Sequence, residues 1–115
     1  MAEIQQYPHP KDPDSDLDYG RNWGDADDGT PGWLMEGEEI TQSIWLISAD
    51  KEAIPTLVES SQGTGISTDK TITNIFLSGG TAGVVYKLTN RITTLASNGS
   101  TRVEDRTGIL VCCVK

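Results

Sequence analysis

The chain has 115 residues, of which 36% are apolar, 17 are acidic and 9 are Lys or Arg, giving a net charge of −8. A chain of this length forms one domain with a modest core, and its acidity excludes the clustered basic face that nucleic acid requires. No stretch approaches the roughly 20 apolar residues that span a bilayer, and the start MAEIQQYPHP lacks the basic and apolar segments of a secretory signal, so a soluble protein made in a cytoplasm is expected.

The charge is unevenly placed. Residues 1–69 carry 15 acidic and 3 basic side chains, whereas residues 70–115 carry 2 and 6. Such a split leaves two differently solvated faces or favours head-to-tail packing between copies. Residues 1–36 read as an extended, acidic docking arm. Four of the five prolines (Pro8, Pro10, Pro13, Pro31) fall there, together with Gly20, Gly24, Gly29 and Gly32. Such a composition cannot offset its own ordering entropy by burial. Yet Tyr7, Leu17, Tyr19, Trp23, Trp33 and Leu34 lie in it, and a purely solvating linker has no use for those side chains. The arm is therefore expected to dock on its own domain, on a neighbouring copy or on another protein. Leu17, Asp18, Tyr19, Trp23 and Trp33 are assigned as assembly contacts, with the aromatic residues laid on an adjacent subunit.

Alternating aspartates within "KDPDSDLDYGRNW" raise the question of a metal loop. An EF-hand needs Gly at its sixth position and Glu at its twelfth. Counting from Asp12, those positions are Leu17 and Trp23; counting from Asp14, they are Tyr19 and Asp25. Neither register fits, and no metal or cofactor is expected. The single histidine, His9, sits between two prolines, where no partner would hold it in catalytic geometry. No catalytic residue is assigned, and the chain reads as a non-enzyme.

Residues 37–115 read as β-structure. "EEITQSIWLIS" alternates through Ile40, Gln42, Ile44 and Leu46 on one face, with Trp45 and Ile47 on the other. One or two short strands are expected between Asp50 and Lys70, around "TLVES" and "GIST", and "ADKEAIPTLVE" is the single stretch with any helical character. "KTITNIFLS" is rich in β-branched and aromatic residues. "VVYKLTNRITT" places Tyr86, Leu88, Asn90 and Ile92 on one face, and "RTGILVCCVK" closes the chain. Turns fall at "SADKEA", "SSQGTG", "SGGTAG" and "SNGS". Of the adjacent Cys112 and Cys113, one faces the core and one is partly exposed, or the exposed one links neighbouring copies. Short strands at this spacing predict an all-β fold, a small antiparallel immunoglobulin-like sandwich with an extended N-terminal arm.

"LSGGTAGVVYKL" sharpens that expectation. A Gly-rich turn (Gly79, Gly80, Gly83) precedes a strand whose third residue is Tyr86. This is similar to the corner of immunoglobulin-like sandwiches where a tyrosine hydrogen-bonds back across the turn. Leu88 would take the core position that a disulfide cysteine holds in antibodies.

Two stretches, "PKDPDSDLDYGRNW" and "IFLSGGTAGVVYKLTNRITT", carry a wider resemblance. The chain resembles a family of small structural proteins of tailed bacteriophages and prophages, matched at Leu77–Gly83, Tyr86, Leu88–Asn90 and Ile92–Thr94. The residues from Ala49 to Asp69 lie outside the resemblance. It implies a non-enzymatic virion component with an immunoglobulin-like fold, present in many symmetric copies and assembled in the bacterial cytoplasm. The expected place is the head and neck region, as a capsid decoration or cement protein or as a head-to-tail connector or collar. Its partners would be capsid, portal or connector proteins and copies of itself, with neither nucleic acid nor membrane. The alternative is a virion-displayed adhesion module that binds a host-surface glycan or protein.

Overall fold

β-Branched and aromatic residues at alternate positions draw the chain into strands, and turns form where Gly, Asn and Ser release it. The structure, a computed structural model, describes residues 4–6, 11, 16–25 and 31–112. His9, Asp12, Asp14 and Cys113 therefore lie outside the described residues. Among the described residues seven strands form: β1 (Ile4–Gln6), β2 (Leu17–Asn22), β3 (Glu39–Ala49), β4 (Leu57–Ile66), β5 (Ile72–Gly79), β6 (Val85–Leu95) and β7 (Thr101–Val111). No helix forms among them, so "ADKEAIPTLVE" runs as loop and strand.

The strands make two sheets, ordered β1-β7-β6-β3 and β2-β5-β4. β1 lies parallel to β7, and every other pairing is antiparallel. With β3, β6 and β7 as strands C, F and G, and β2, β4 and β5 as B, D and E, this is the order of an immunoglobulin-like sandwich. The fold is all-β, as the alternating patterns require.

β6 sets the core. Tyr86, Leu88, Asn90, Ile92 and Thr94 all point inward and are completely buried, while Lys87, Arg91 and Leu95 point out. β3 departs from simple alternation. Ile40 pairs with Thr94 and Gln42 with Thr93, which leaves Thr41 as the extra residue of a β-bulge. A bulge moves every following side chain to the opposite face. Ile40 is thus buried, but Ile44 and Leu46, expected to share its face, are 42% and 46% exposed, and Trp45, Ile47 and Ala49 pack on the core instead. β4 is one ten-residue strand with a register shift between Glu59 and Thr64, where one or two short strands were expected.

Among the described residues two strands lie before residue 37, and β2 is built into the sandwich. Tyr19 pairs with Ile75 and joins the main cluster of Leu57, Leu77, Leu88 and Leu110; Leu17, partly buried, packs against it. Trp23 anchors a second cluster with Ile40 and Ile92. Its backbone is fixed on both sides, because its N–H donates to Thr71 O at 2.8 Å and its carbonyl accepts from the N–H groups of Trp33 and Leu34 at 2.9 and 3.1 Å. The indole N–H donates to Asn90 Oδ1 at 3.0 Å and approaches Thr73 Oγ1 at 3.3 Å. Thr73 donates to the same Asn90 oxygen at 2.6 Å, and Asn90 Nδ2 donates to Ser43 Oγ and Ile44 O at 2.9 and 3.1 Å. Trp23 and this buried amide therefore tie β2, β5, β6 and β3 together. Lys11 is also buried: its backbone N–H donates to Val111 O at 3.0 Å and its ammonium to Gly79 O at 2.7 Å.

Truncating a buried tryptophan removes its contacts and here also leaves the Asn90 amide oxygen short of a donor. Trp23→Ala is expected to lower the unfolding free energy of the isolated protein by about 3–5 kcal/mol, read from urea denaturation followed by circular dichroism. A change below about 1 kcal/mol would mean that Trp23 does not hold the sandwich.

Candidate assembly surface

The residues assigned to docking have different fates. Tyr19 and Trp23, expected on an adjacent subunit, are buried within their own chain. Leu17 is partly buried beside Leu77, and Asp18 is exposed on the outward face of β2, opposite Phe76. Trp33 meets Trp23 edge-on, with ring centroids 5.6 Å apart and planes at 72°. The guanidinium of Arg102 lies 3.7 Å over the Trp33 ring, and those of Arg21 and Arg106 lie 5.9 and 5.7 Å from the Trp23 centroid. The two tryptophans thus form an edge-to-face pair flanked by three guanidinium cations, which the electron-rich ring faces attract.

Arg102 is held by Glu38, whose side chain is fully buried. The guanidinium meets the carboxylate with two donors, Nε to Oε2 at 2.8 Å and Nη2 to Oε1, and Nη2 also reaches Trp33 O at 3.3 Å. Thr94 Oγ1 donates to Oε2, and the Met35 N–H donates to Oε1 at 2.9 Å. Arg102 above all, then Thr94 and Met35, outweigh burial and lower the Glu38 pKa to about 2. Glu38 and Arg102 come from the acidic and basic parts of the chain, so this pair closes part of the charge split within one molecule.

At the opposite end of β6, the Tyr86 hydroxyl does what the corner motif implies. It accepts from the Thr81 N–H at 2.9 Å and donates to Glu52 Oε1 at 2.7 Å. Glu52 also accepts from the Thr56 N–H at 3.1 Å and from Thr81 Oγ1 at 2.8 Å. These donors, Tyr86 first, lower the Glu52 pKa to about 2. Gly79 and Gly80 are required here: their φ values are 76° and 99°, and a Cβ would lie 2.5 Å from Thr56 O at the first and 2.9 Å from Cys112 Sγ at the second. Gly83 needs its own φ of 87° to finish the turn. Glu52 was invisible in the sequence, because its partners are 4, 29 and 34 residues away and no local spacing marks them.

Other apolar side chains are exposed on the sheets. Ile44, Leu46, Leu95 and Val103 are exposed on the outward face of β3, β6 and β7. Amid them, Arg91 and Asp105 form a two-pronged pair at 2.8 and 3.0 Å, solvated enough to contribute little to stability. Ile54 and Val58 are exposed on β4 and the loop that feeds it. A cleft of about 600 Å³ at the other end is lined by Asp25, Glu36, Glu39 and Asp69 with Leu34 and Met35. No group of His, Cys, Asp and Glu among the described residues is arranged to hold a metal ion. No helix among them is long and apolar enough to cross a membrane.

Residues 11–110 match the protein family described as podophage GP4 fiber-tail adaptor protein gp77. No curated protein matches the chain.

The Glu38 pair predicts an acid-sensitive fold. A carboxylate whose folded pKa is depressed stabilises the protein above its unfolded pKa and loses that contribution as pH falls toward the folded value. Stability should therefore fall between about pH 4.5 and pH 2. Glu38→Gln should flatten that part of the profile in urea titrations run at successive pH values. An unchanged slope in Glu38→Gln would remove this carboxylate as a source of acid lability.

Proposed function

We propose that this protein, which belongs to the podophage GP4 fiber-tail adaptor family, is a non-enzymatic virion component that couples a fiber to the tail. The observation that carries this reading is the extent of the match. It begins at Lys11, whose buried ammonium docks on Gly79 O, and ends at Leu110, a core residue of β7. The resemblance therefore spans the sandwich itself and not an appended segment.

An adaptor engages two partners at once and so needs two surfaces that share no residues. The aliphatic face of β3, β6 and β7 and the acidic cleft around Asp25, Glu36, Glu39 and Asp69 meet that condition. One suits apolar contact with a partner's sheet or loop, the other a basic partner surface. The work is done by contact, and its partners are other virion proteins together with copies of this chain. The fiber–tail junction replaces the head and neck as the favoured place, because the family's description names it.

Particles assembled without this protein test the reading. Full, DNA-containing heads with intact tails that lack fibers are expected by negative-stain electron microscopy, with fibers restored by adding the purified protein. Particles that keep their fibers but leak DNA, or heads that fall apart, would overturn it and return the protein to the neck or the capsid surface.

A further inference from the structure

We propose that the free edge of β3 joins two copies of this chain, with the two β3 strands antiparallel about a two-fold axis at Trp45. The pairing depends on the edge itself and holds whichever virion proteins the chain connects. β3 is eleven residues long and, among the described residues, ends its sheet. The Asp50 N–H donates to Val85 O at 3.2 Å, which sets the phase of the β3–β6 ladder. Antiparallel strands alternate the direction of their backbone groups. Gln42, Ile44, Leu46 and Ser48 therefore turn theirs toward β6, and Ser43, Trp45, Ile47 and Ala49 turn theirs to the open side. At the near end, the Ile40 N–H is already taken by Lys70 O at 3.1 Å, so the open edge begins beyond the bulge.

This edge lacks the devices that keep strands single. From Thr41 to Ala49 it contains no charge and no proline, where protected edges carry Lys, Pro or an inward-pointing charge. Trp45, Ile47 and Ala49 remain partly exposed although their partners Asn90, Leu88 and Tyr86 on β6 are completely buried. The core is thus left unfinished along β3, beside the exposed Ile44 and Leu46.

The sequence of the strand selects a second copy as the occupant. Antiparallel pairing about Trp45 sets Ile44 against Leu46 of the second copy, Ser43 against Ile47 and Gln42 against Ser48, all without a charge conflict. Pairing about Trp45 stays within Gln42 to Ser48, clear of both the bulge and Asp50. Shifting the axis to Ile47 would set Asp50 against Ile44. Shifting it to Ser43 would set Glu39 against Ile47 and run the ladder into the bulge. The axis at Trp45 satisfies polarity, charge and backbone phase together.

Equilibrium sedimentation of the full chain across the micromolar range tests this. The wild type should form a species of twice the 12.4 kDa chain mass. Ile44→Lys combined with Leu46→Lys places like charges opposite each other at two positions and should weaken the dimer by at least about tenfold. Ile44→Lys combined with Leu46→Glu places opposite charges there and should dimerise about tenfold more tightly than the double-lysine variant, the advantage shrinking with salt. Both pairs of positions are exposed, and circular dichroism should report an unchanged fold. A wild type that stays monomeric throughout, or two double variants of equal affinity, would overturn the proposal.

Discussion

The indole N–H of Trp23, held in the buried amide of Asn90, is the contact on which the sandwich depends. A polar hydrogen in the interior must find an acceptor or cost on the order of 1–3 kcal/mol. Here the acceptor oxygen is shared with the Thr73 hydroxyl, and the other end of the same amide bonds to β3. One tryptophan, delivered by a segment too acidic and too rich in proline to fold alone, thereby closes two sheets on each other. The ring then supports Trp33, Trp33 supports Arg102, and Arg102 neutralises the buried Glu38.

This chain of contacts explains a composition that otherwise looks poorly suited to folding. A small β-domain with a modest apolar fraction has little core to draw on. It recovers stability by bringing the aromatic residues of residues 16–36 inside and by letting the acidic front part of the sequence bind the basic back part. The Glu38–Arg102 pair is one such bond. The Glu52–Tyr86–Thr81 corner is a second polar clamp, at the far end of β6. Between these two fixed ends the middle of β3 has Ile44 and Leu46 outward and Trp45 and Ile47 half covered.

β6 and the glycine corner were legible in the sequence because both are dictated locally: a central strand buried on one side must alternate, and a left-handed turn must use glycine. The face of β3 was not legible. Whether Ile40 and Ile44 share a side depends on one extra residue, Thr41, and only the pairing with Thr93 and Thr94 reveals it. The partner of Leu17, Tyr19 and Trp23 was also open. Composition shows that such side chains must dock somewhere, but β2 finds its place against β5, fifty residues or more further along the chain. The acceptor of the Tyr86 hydroxyl, Glu52, carries no spacing signal for the same reason.

The segment from Tyr19 to Trp23 belongs to the same packed body as the rest of the sandwich. Amide hydrogen exchange on the dilute, isolated protein measures this directly. The backbone amides of Tyr19, Arg21 and Trp23, which face β5, should be protected to a degree comparable with those of β6, since both belong to one cooperative unit. Exchange at those residues as fast as in an unfolded peptide, with β6 still protected, would contradict it and return the segment to the role of an arm that orders on a neighbour.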